Sequence, residues 1–249
     1  MRMLLDHPMD LLFVSVLMFS LASWVGAVLS RGHREEKSDA FQLVQGATLT
    51  LLGLLLGFTF AMAVSRFDLR MELAVNEANA IETAWLRAGM MPAPYNDQSR
   101  ALLLQYTNAR LDLGQAGTRE QAREMAEQHA QELQRQIWRI AEQSASDKRD
   151  AVTAVYLNAL QEVFDLRTRR AEIYDNRIPG SAWVLLLFIG IMSNLLVGYG
   201  IGNRWWLLWV LPVVVAGTLM LVSDLDSPVS GFIQVQPKAP QELRNVLKP

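Results

Sequence analysis

The chain has 249 residues, of which 51% are hydrophobic and 19% charged, with a formal net charge of −2 and no cysteine. The charge content lies below the usual quarter of a soluble domain, and the balanced charge offers no basic field for nucleic acid. Without cysteine there are no disulfides, no thiolate catalysis and no Cys-ligated zinc or iron–sulfur centre, while the redox compartment stays open.

The apolar excess is concentrated in four stretches, Leu11–Leu29, Leu43–Val64, Ala182–Tyr199 and Trp205–Val222. None contains Asp, Glu, Lys, Arg or His. Each is long enough to cross a hydrocarbon core of roughly 30 Å as a helix. The sequence therefore predicts an all-α integral membrane protein with spans in two pairs and a helical domain inserted between the pairs. The expected divisions are 1–66 for the first pair, 67–180 for the helical domain, 181–223 for the second pair and 224–249 for a tail. The first stretch is longer than a usual signal-peptide core and no A-x-A site follows it, so it is read as a retained span.

In chain order, the charged linker Ser30–Ala40 is too short for a domain. Past Arg66 the second span runs on into a polar helix, about Phe67–Ala88, which Gly89, Pro92 and Pro94 break. Asn96 or Asp97 caps the next expected helix, Gln98–Leu113. After Gly114 and Gly117, a helix is expected from Thr118 and Glu120 to Glu142, then another from Ala151 to Asn176. The first and last of these helices are expected to continue out of spans two and three as stalks. Trp183 opens span three, and Trp205, Trp206 and Trp209 open span four, where interfacial aromatics belong. Pro212 is expected to kink span four. The tail from Ser223 reads as polar and proline-broken, with a frayed end.

Four spans put both termini and the helical domain on one side. That side carries Arg2, Arg66, Arg70, Arg167, Arg169, Arg170, Arg177 and Lys238 near the membrane, and the other side carries Arg31, Arg34, Lys37 and Arg204. The bias places the termini and the domain in the cytoplasm.

Several residues are candidates for function. Gly46, Gly53 and Gly57 share one face of span two. Gly53 and Gly57 form a G-x-x-x-G pair. Two readings are open: packing within one subunit, or a face lining a pore or an oligomer seam. Asn194 is an amide inside span three and needs a partner, either across a helix interface or in water. Glu72, Asn76 and Asn79 share a helical face that lines a vestibule or is the solvated face of a stalk. Arg167 and Arg170 belong to a basic patch that pairs with acidic neighbours or lipid headgroups, or gathers anions around an oligomer axis. Asp224 and Asp226 close span four, as a structural turn shaped by Pro228 and Gly231 or as a cation-concentrating mouth. His7, His33 and His129 are scattered, so no metal site is indicated. No P-loop, dinucleotide fingerprint or G-x-S-x-G motif is present, and no catalytic residue or cofactor is nominated.

The order of features along the chain resembles the bacterial bestrophin-like membrane protein family. The residues that carry the likeness are Gly46 in span two, Glu72, Glu77-Ala78 and Glu82 in the stalk, and the break Arg87-Ala-Gly-Met-Met-Pro92. They continue with Tyr106, then Leu166-Arg167-Thr-Arg169-Arg170, Pro179 with Trp183, and Leu225-Asp226-x-Pro228-x-x-Gly231 followed by Val235 and Pro237. The resemblance implies a multi-pass protein of the bacterial inner membrane with a helical cytoplasmic domain. Its distant kinship to bestrophins, which are pentameric anion channels, implies a homo-oligomer passing small ions, with Gly46, Gly53 and Gly57 on or near the pore helix and Phe58 and Phe60 as the candidates for the aromatic ring of a bestrophin neck. The competing expectation is a membrane scaffold or signalling protein whose helical domain binds a partner.

Overall fold

The computed structural model describes residues 7–30, 39–117, 119–147, 150–201, 205–227, 231–233 and 238–247. Among these are helices α1 (Pro8–Ser30), α2 (Asp39–Ala88), α3 (Tyr95–Gln115), α4 (Glu120–Asp147), α5 (Ala151–Asp175), α6 (Gly180–Ile201), α7 (Val210–Asp226) and α8 (Lys238–Leu247), with a 3₁₀ turn at Trp205–Trp209 before α7. Four helical segments are long and apolar enough to cross a membrane: α1, the apolar part of α2, α6, and Trp206–Asp226. The chain is thus a multi-pass membrane protein, all-α, with its spans in two pairs flanking a helical domain. It divides into two compact units, residues 1–67 with 177–234 and residues 68–176 with 235–249.

In the first unit α1, α6 and α7 pack together. Their apolar residues face both ways, as lipid-exposed helices require. Phe13, Leu17, Leu21 and Trp24 of α1 point outward, whereas Leu11, Ser15, Phe19, Ala22, Ser23, Gly26 and Ala27 are buried. The buried set recurs every three or four residues and is rich in small side chains, which lets helices approach closely in lipid. A Cβ on Gly26 would meet the Leu195 carbonyl oxygen at 2.1 Å, and one on Gly198 would meet the Ser23 carbonyl oxygen at 2.0 Å. The Phe19 ring fills the notch left by Gly190. Gly198→Val is therefore expected to disrupt the α1–α6 contact, because the obstacle is backbone and cannot turn aside. Loss of the monodisperse peak of the detergent-solubilised protein on size exclusion checks this.

In the second unit the outer half of α2 packs with α3, α4, α5 and α8 around Leu73, Ile81, Ala84, Leu103, Tyr106, Leu133, Ile137, Tyr156, Leu160 and Val163. On α4 the buried positions are Ala130, Leu133, Ile137, Ala141 and Ser144, a 3–4 spacing with polar residues elsewhere. Between α2 and α3, Gly89 makes room for Arg100: a Cβ there would meet the guanidinium at 2.0 Å. Arg100 itself lies over the Trp85 ring at 4.1 Å.

Several local expectations are corrected. Pro212 sits in the first turn of α7, where its missing N–H leaves no intrahelical bond unmade, so a kink is not required. The 3₁₀ turn absorbs the tryptophans ahead of it. The α3 helix starts at Tyr95 behind Pro94 with no side-chain cap, so Asn96 and Asp97 lie inside the helix. The α4 helix runs to Asp147, and Asp150 caps α5 by accepting from the Thr153 N–H at 2.8 Å. Helix α2 continues unbroken from span into domain, but α5 ends at Asp175 and α6 begins afresh at Gly180, so span three has no stalk. The tail is not merely frayed: α8 forms there and buries Leu243 and Leu247, one turn apart, in the core of the second unit. Thr118, Pro228 and the linker 31–38 lie outside the described residues.

Candidate functional site

Helix α2 carries the candidate site. Gly46, Gly53 and Gly57 are exposed, and a Cβ on any of them meets nothing within 4 Å. They are not notches for helices of the same subunit; Gly26, Gly190 and Gly198 are. Phe58 and Phe60 are exposed on either flank of the glycines. Helical spacing extends this open face along the first unit's part of α2 through Leu43, Ala47, Thr50, Leu54, Gly57, Ala61 and Ser65, all exposed; in the second unit Asp68, Glu72, Asn79 and Thr83 of α2 are exposed. At 1.5 Å per residue the stripe from Leu43 to Ser65 is about 33 Å long. It is small and apolar up to Ala61 and ends on the polar Ser65. Asn76, in the second unit, is half-buried. The hydroxyls of Thr48, Thr50 and Thr59 donate to the carbonyls of Val44, Gly46 and Leu55 in the preceding turn, at 2.8, 2.9 and 2.7 Å. This internal bonding keeps the span polar-neutral along its length. The opposite side of the helix is closed by Leu52, Thr59 and Ala63.

Asn194 is fully buried and away from this face. Its Nδ2 donates to the Gly190 carbonyl at 2.8 Å, and the Ser23 hydroxyl donates to the Asn194 carbonyl at 3.2 Å. It ties α6 to α1.

Asp224 and Asp226 are buried and serve two different joints. The Asp224 carboxylate accepts the N–H groups of Phe232 and Ile233 at 2.7 and 3.0 Å. Gly231, at φ 117°, is required twice over, because a Cβ there would also meet an Asp224 oxygen at 2.0 Å. Asp226 accepts the Ile178 N–H at 3.2 Å and pairs with Arg66 at 3.5 Å. The turn expected of Asp226 is thus held by Asp224, and Asp226 joins the ends of α5–α6 linker, α7 and the second span.

Arg167 and Arg170 point into the second unit and belong to a network that periodicity does not reveal. Glu77 is 2% exposed. Both its oxygens accept from Arg110, Nε at 2.6 Å and Nη2 at 3.2 Å, and Arg170 donates to it as well. Arg167 pairs with Glu127 and donates to Gln134 at 2.9 Å; Arg110 approaches Glu127 at 3.5 Å. Burial pushes the Glu77 carboxyl upward, but Arg110 and Arg170 outweigh it and hold the group below the usual carboxylate range. Glu127 is lowered in the same way, burial opposing and Arg167 and Arg110 prevailing. The signal in the sequence is a lone charge within an apolar stripe. Glu77 stands among Leu73, Ala74, Ala78 and Ile81, and Arg110 among Tyr106, Ala109 and Leu111.

The structure therefore places the glycines on an exposed face of α2 in the first unit, leaves Glu72 and Asn79 exposed on α2 in the second, and sets Asn194, Asp224, Asp226, Arg167 and Arg170 in internal joints. Among the described residues no group of three or more His, Asp or Glu side chains could hold a metal ion.

The Bestrophin-like domain signature matches residues 12–239. The chain belongs to the bestrophin-like family. Its fold is similar to that of a bacterial bestrophin homologue from Klebsiella pneumoniae, at 15% identity over 96% of this chain and 95% of that one, with a TM-score of 0.67. An aspartate-to-alanine variant of that homologue matches at 14% identity over 96% and 97%, with a TM-score of 0.68. A leucine-to-threonine variant matches at 14% over 96% and 97%, also at 0.68. Among the curated proteins no sequence matches. At these identities the solved structures speak for the fold alone.

Proposed function

We propose that this bestrophin-like protein is a homo-oligomeric channel that passes small ions across the bacterial inner membrane, with the open face of α2 lining the pore. The observation that carries the reading is that face. It is continuous and free of formal charge from Leu43 to Ser65, and its glycines have no packing role within the subunit. An apolar neck of small residues passes ions when it is wide enough to stay wet. A ring of subunits, five by analogy with bestrophins, would bring the α2 faces together around an axis. The termini and helical domain lie in the cytoplasm, following the bias in basic residues.

The resemblance implies anions, whereas the first exposed charged side chains of α2 beyond that face, Asp68 and Glu72, are acidic and favour cations at a mouth. A reversal potential measured in a potassium chloride gradient separates the two. Glu72→Gln should shift it away from the potassium potential if the acidic side chains set the preference.

Ion flux through the purified protein in liposomes, with oligomer mass measured on the same preparation, tests the reading. A defined oligomer with flux above protein-free liposomes upholds it. A defined oligomer that stays silent under changes of voltage, calcium and pH would favour instead a scaffold whose helical domain binds a partner. For topology, a cysteine placed in the linker 31–39 should react with an impermeant thiol reagent from outside intact cells, and one at His129 should not. The opposite labelling pattern would invert the assignment.

A further inference from the structure

The helical domain contains a cavity of about 440 Å³ that conduction leaves without a role. This volume falls within the usual range for small-molecule sites. Arg110, Arg123, Arg167 and Arg170 line it together with Glu127, and Leu113 and Tyr174 supply apolar surface. Two further carboxylates on its wall, Glu120 and Glu124, are exposed to solvent.

The buried charges do not balance. Three guanidinium groups, on Arg110, Arg167 and Arg170, have side chains 6%, 16% and 19% exposed. They face two carboxylates: Glu77, held by Arg110 and Arg170, and Glu127, held by Arg167 and Arg110. One positive charge is left over. The Nε–H of Arg167 is buried and has no hydrogen-bond partner among the described residues. At the rim Arg123, stacked over the Tyr174 ring at 4.9 Å, stands with the exposed Glu120 and Glu124, so the surplus belongs to the buried groups alone. Three buried guanidinium groups that share two carboxylates keep donor capacity and positive charge in reserve, and a guanidinium suits the oxygens of a carboxylate or phosphate.

We propose that this cavity binds a small soluble oxyanion, an organic carboxylate or a phosphate, with Arg167 as its principal anchor, Arg123 at the rim and Leu113 and Tyr174 against its carbon body. The site is distinct from the α2 face. Its occupancy is measured without any flux, so it stands or falls independently of the channel reading.

The test is calorimetric titration of the full-length protein in detergent with sodium succinate and, separately, sodium phosphate, at an ionic strength held constant with sodium chloride. Saturable binding of at least one anion is expected, weakened at least about tenfold by Arg167→Gln. Because that variant also leaves Glu127 with less compensation, Ala171→Trp provides a second arm. Ala171 lines the cavity from an exposed position on α5 and takes part in none of the ion pairs, so the larger side chain fills the space while every charged partner is kept. It should abolish binding while the helical circular dichroism is retained. Absence of saturable heat with both anions on the folded wild-type protein would overturn the proposal. Undiminished binding in Ala171→Trp would overturn it equally.

Discussion

Glu77→Gln is expected to destabilise the helical domain by about 3–5 kcal/mol, the usual consequence of removing one partner from a buried ion pair. The shape of the side chain is kept, so packing is not the cause. What changes is that Arg110, with its side chain 6% exposed, loses a two-point countercharge, and Arg170 loses its acceptor at the same time. Arginine cannot shed its proton to escape. Chemical unfolding of the purified protein followed by circular dichroism measures the loss. Replacing Glu77 and Arg110 together, by Leu and Met, should lose less than the sum of the two single variants, because Arg110 is no longer stranded and only Arg170 is left without Glu77. Additive losses would show that the pair is not coupled.

The same network sets an acid limit. Glu77 and Glu127 both ionise more readily in the folded chain than in the unfolded one. Each therefore contributes stability that is fully present above the ordinary carboxylate value of 4.5 and is lost as pH falls through its lowered folded value. Unfolding midpoints should hold steady above that point and drop below it. In Glu77→Gln the drop should be shallower, because one of the titrating groups has been removed. A wild-type midpoint that does not change as pH falls through this range would contradict the role given to the network.

Gly53→Phe is expected to cut ion flux by at least about tenfold while leaving the subunit folded, since a bulky apolar ring narrows and dries a small-residue neck. An added Cβ at Gly53 meets nothing within 4 Å, so the ring projects away from its own subunit. Anything it obstructs must lie beyond that subunit. The contrast with Gly198→Val is informative, because there the added carbon runs into the Ser23 carbonyl and the fold itself is at stake. Intact oligomers of Gly53→Phe with undiminished flux would remove the α2 face from the pore.

The two sets of glycines also show why sequence spacing leaves packing open. Gly53 and Gly57 form the G-x-x-x-G pair that marks close helix approach, yet they are open within the subunit. Gly26, Gly190 and Gly198, on two helices far apart in the chain, make the close contacts. A small residue permits contact but does not specify a partner. Which pair of helices meets depends on three-dimensional register, here Phe19 entering the gap at Gly190 and Ser23 reaching Asn194.

Charged residues follow the same division. Glu72, Asn79 and Asp68 are exposed, as the polar face of α2 predicts. Arg167 and Arg170 lie in a basic run whose expected partners are acidic neighbours or lipid headgroups; which acids they meet, Glu77 and Glu127 on helices distant in sequence, no local pattern tells. Asp224 and Asp226 are two residues apart, yet one holds a turn and the other receives Arg66 and the Ile178 N–H. The α8 helix escaped prediction for a related reason. Ten residues following proline and glycine carry little intrinsic helical stability, and their burial of Leu243 and Leu247 against the rest of the second unit makes them a helix.

By itself the sequence determined the membrane plan. Charge-free stretches of bilayer length have few alternatives, because lipid admits neither unpaired backbone nor unpaired charge. It also determined the all-α character of the inserted domain and that the glycines of the second span share one face, which depend on helical period alone. Only the tertiary structure decided which glycines are packed, which arginines are buried and with whom, and that the end of the chain folds back as a helix. Those outcomes depend on side chains brought together across long stretches of chain, and no local period encodes the partner.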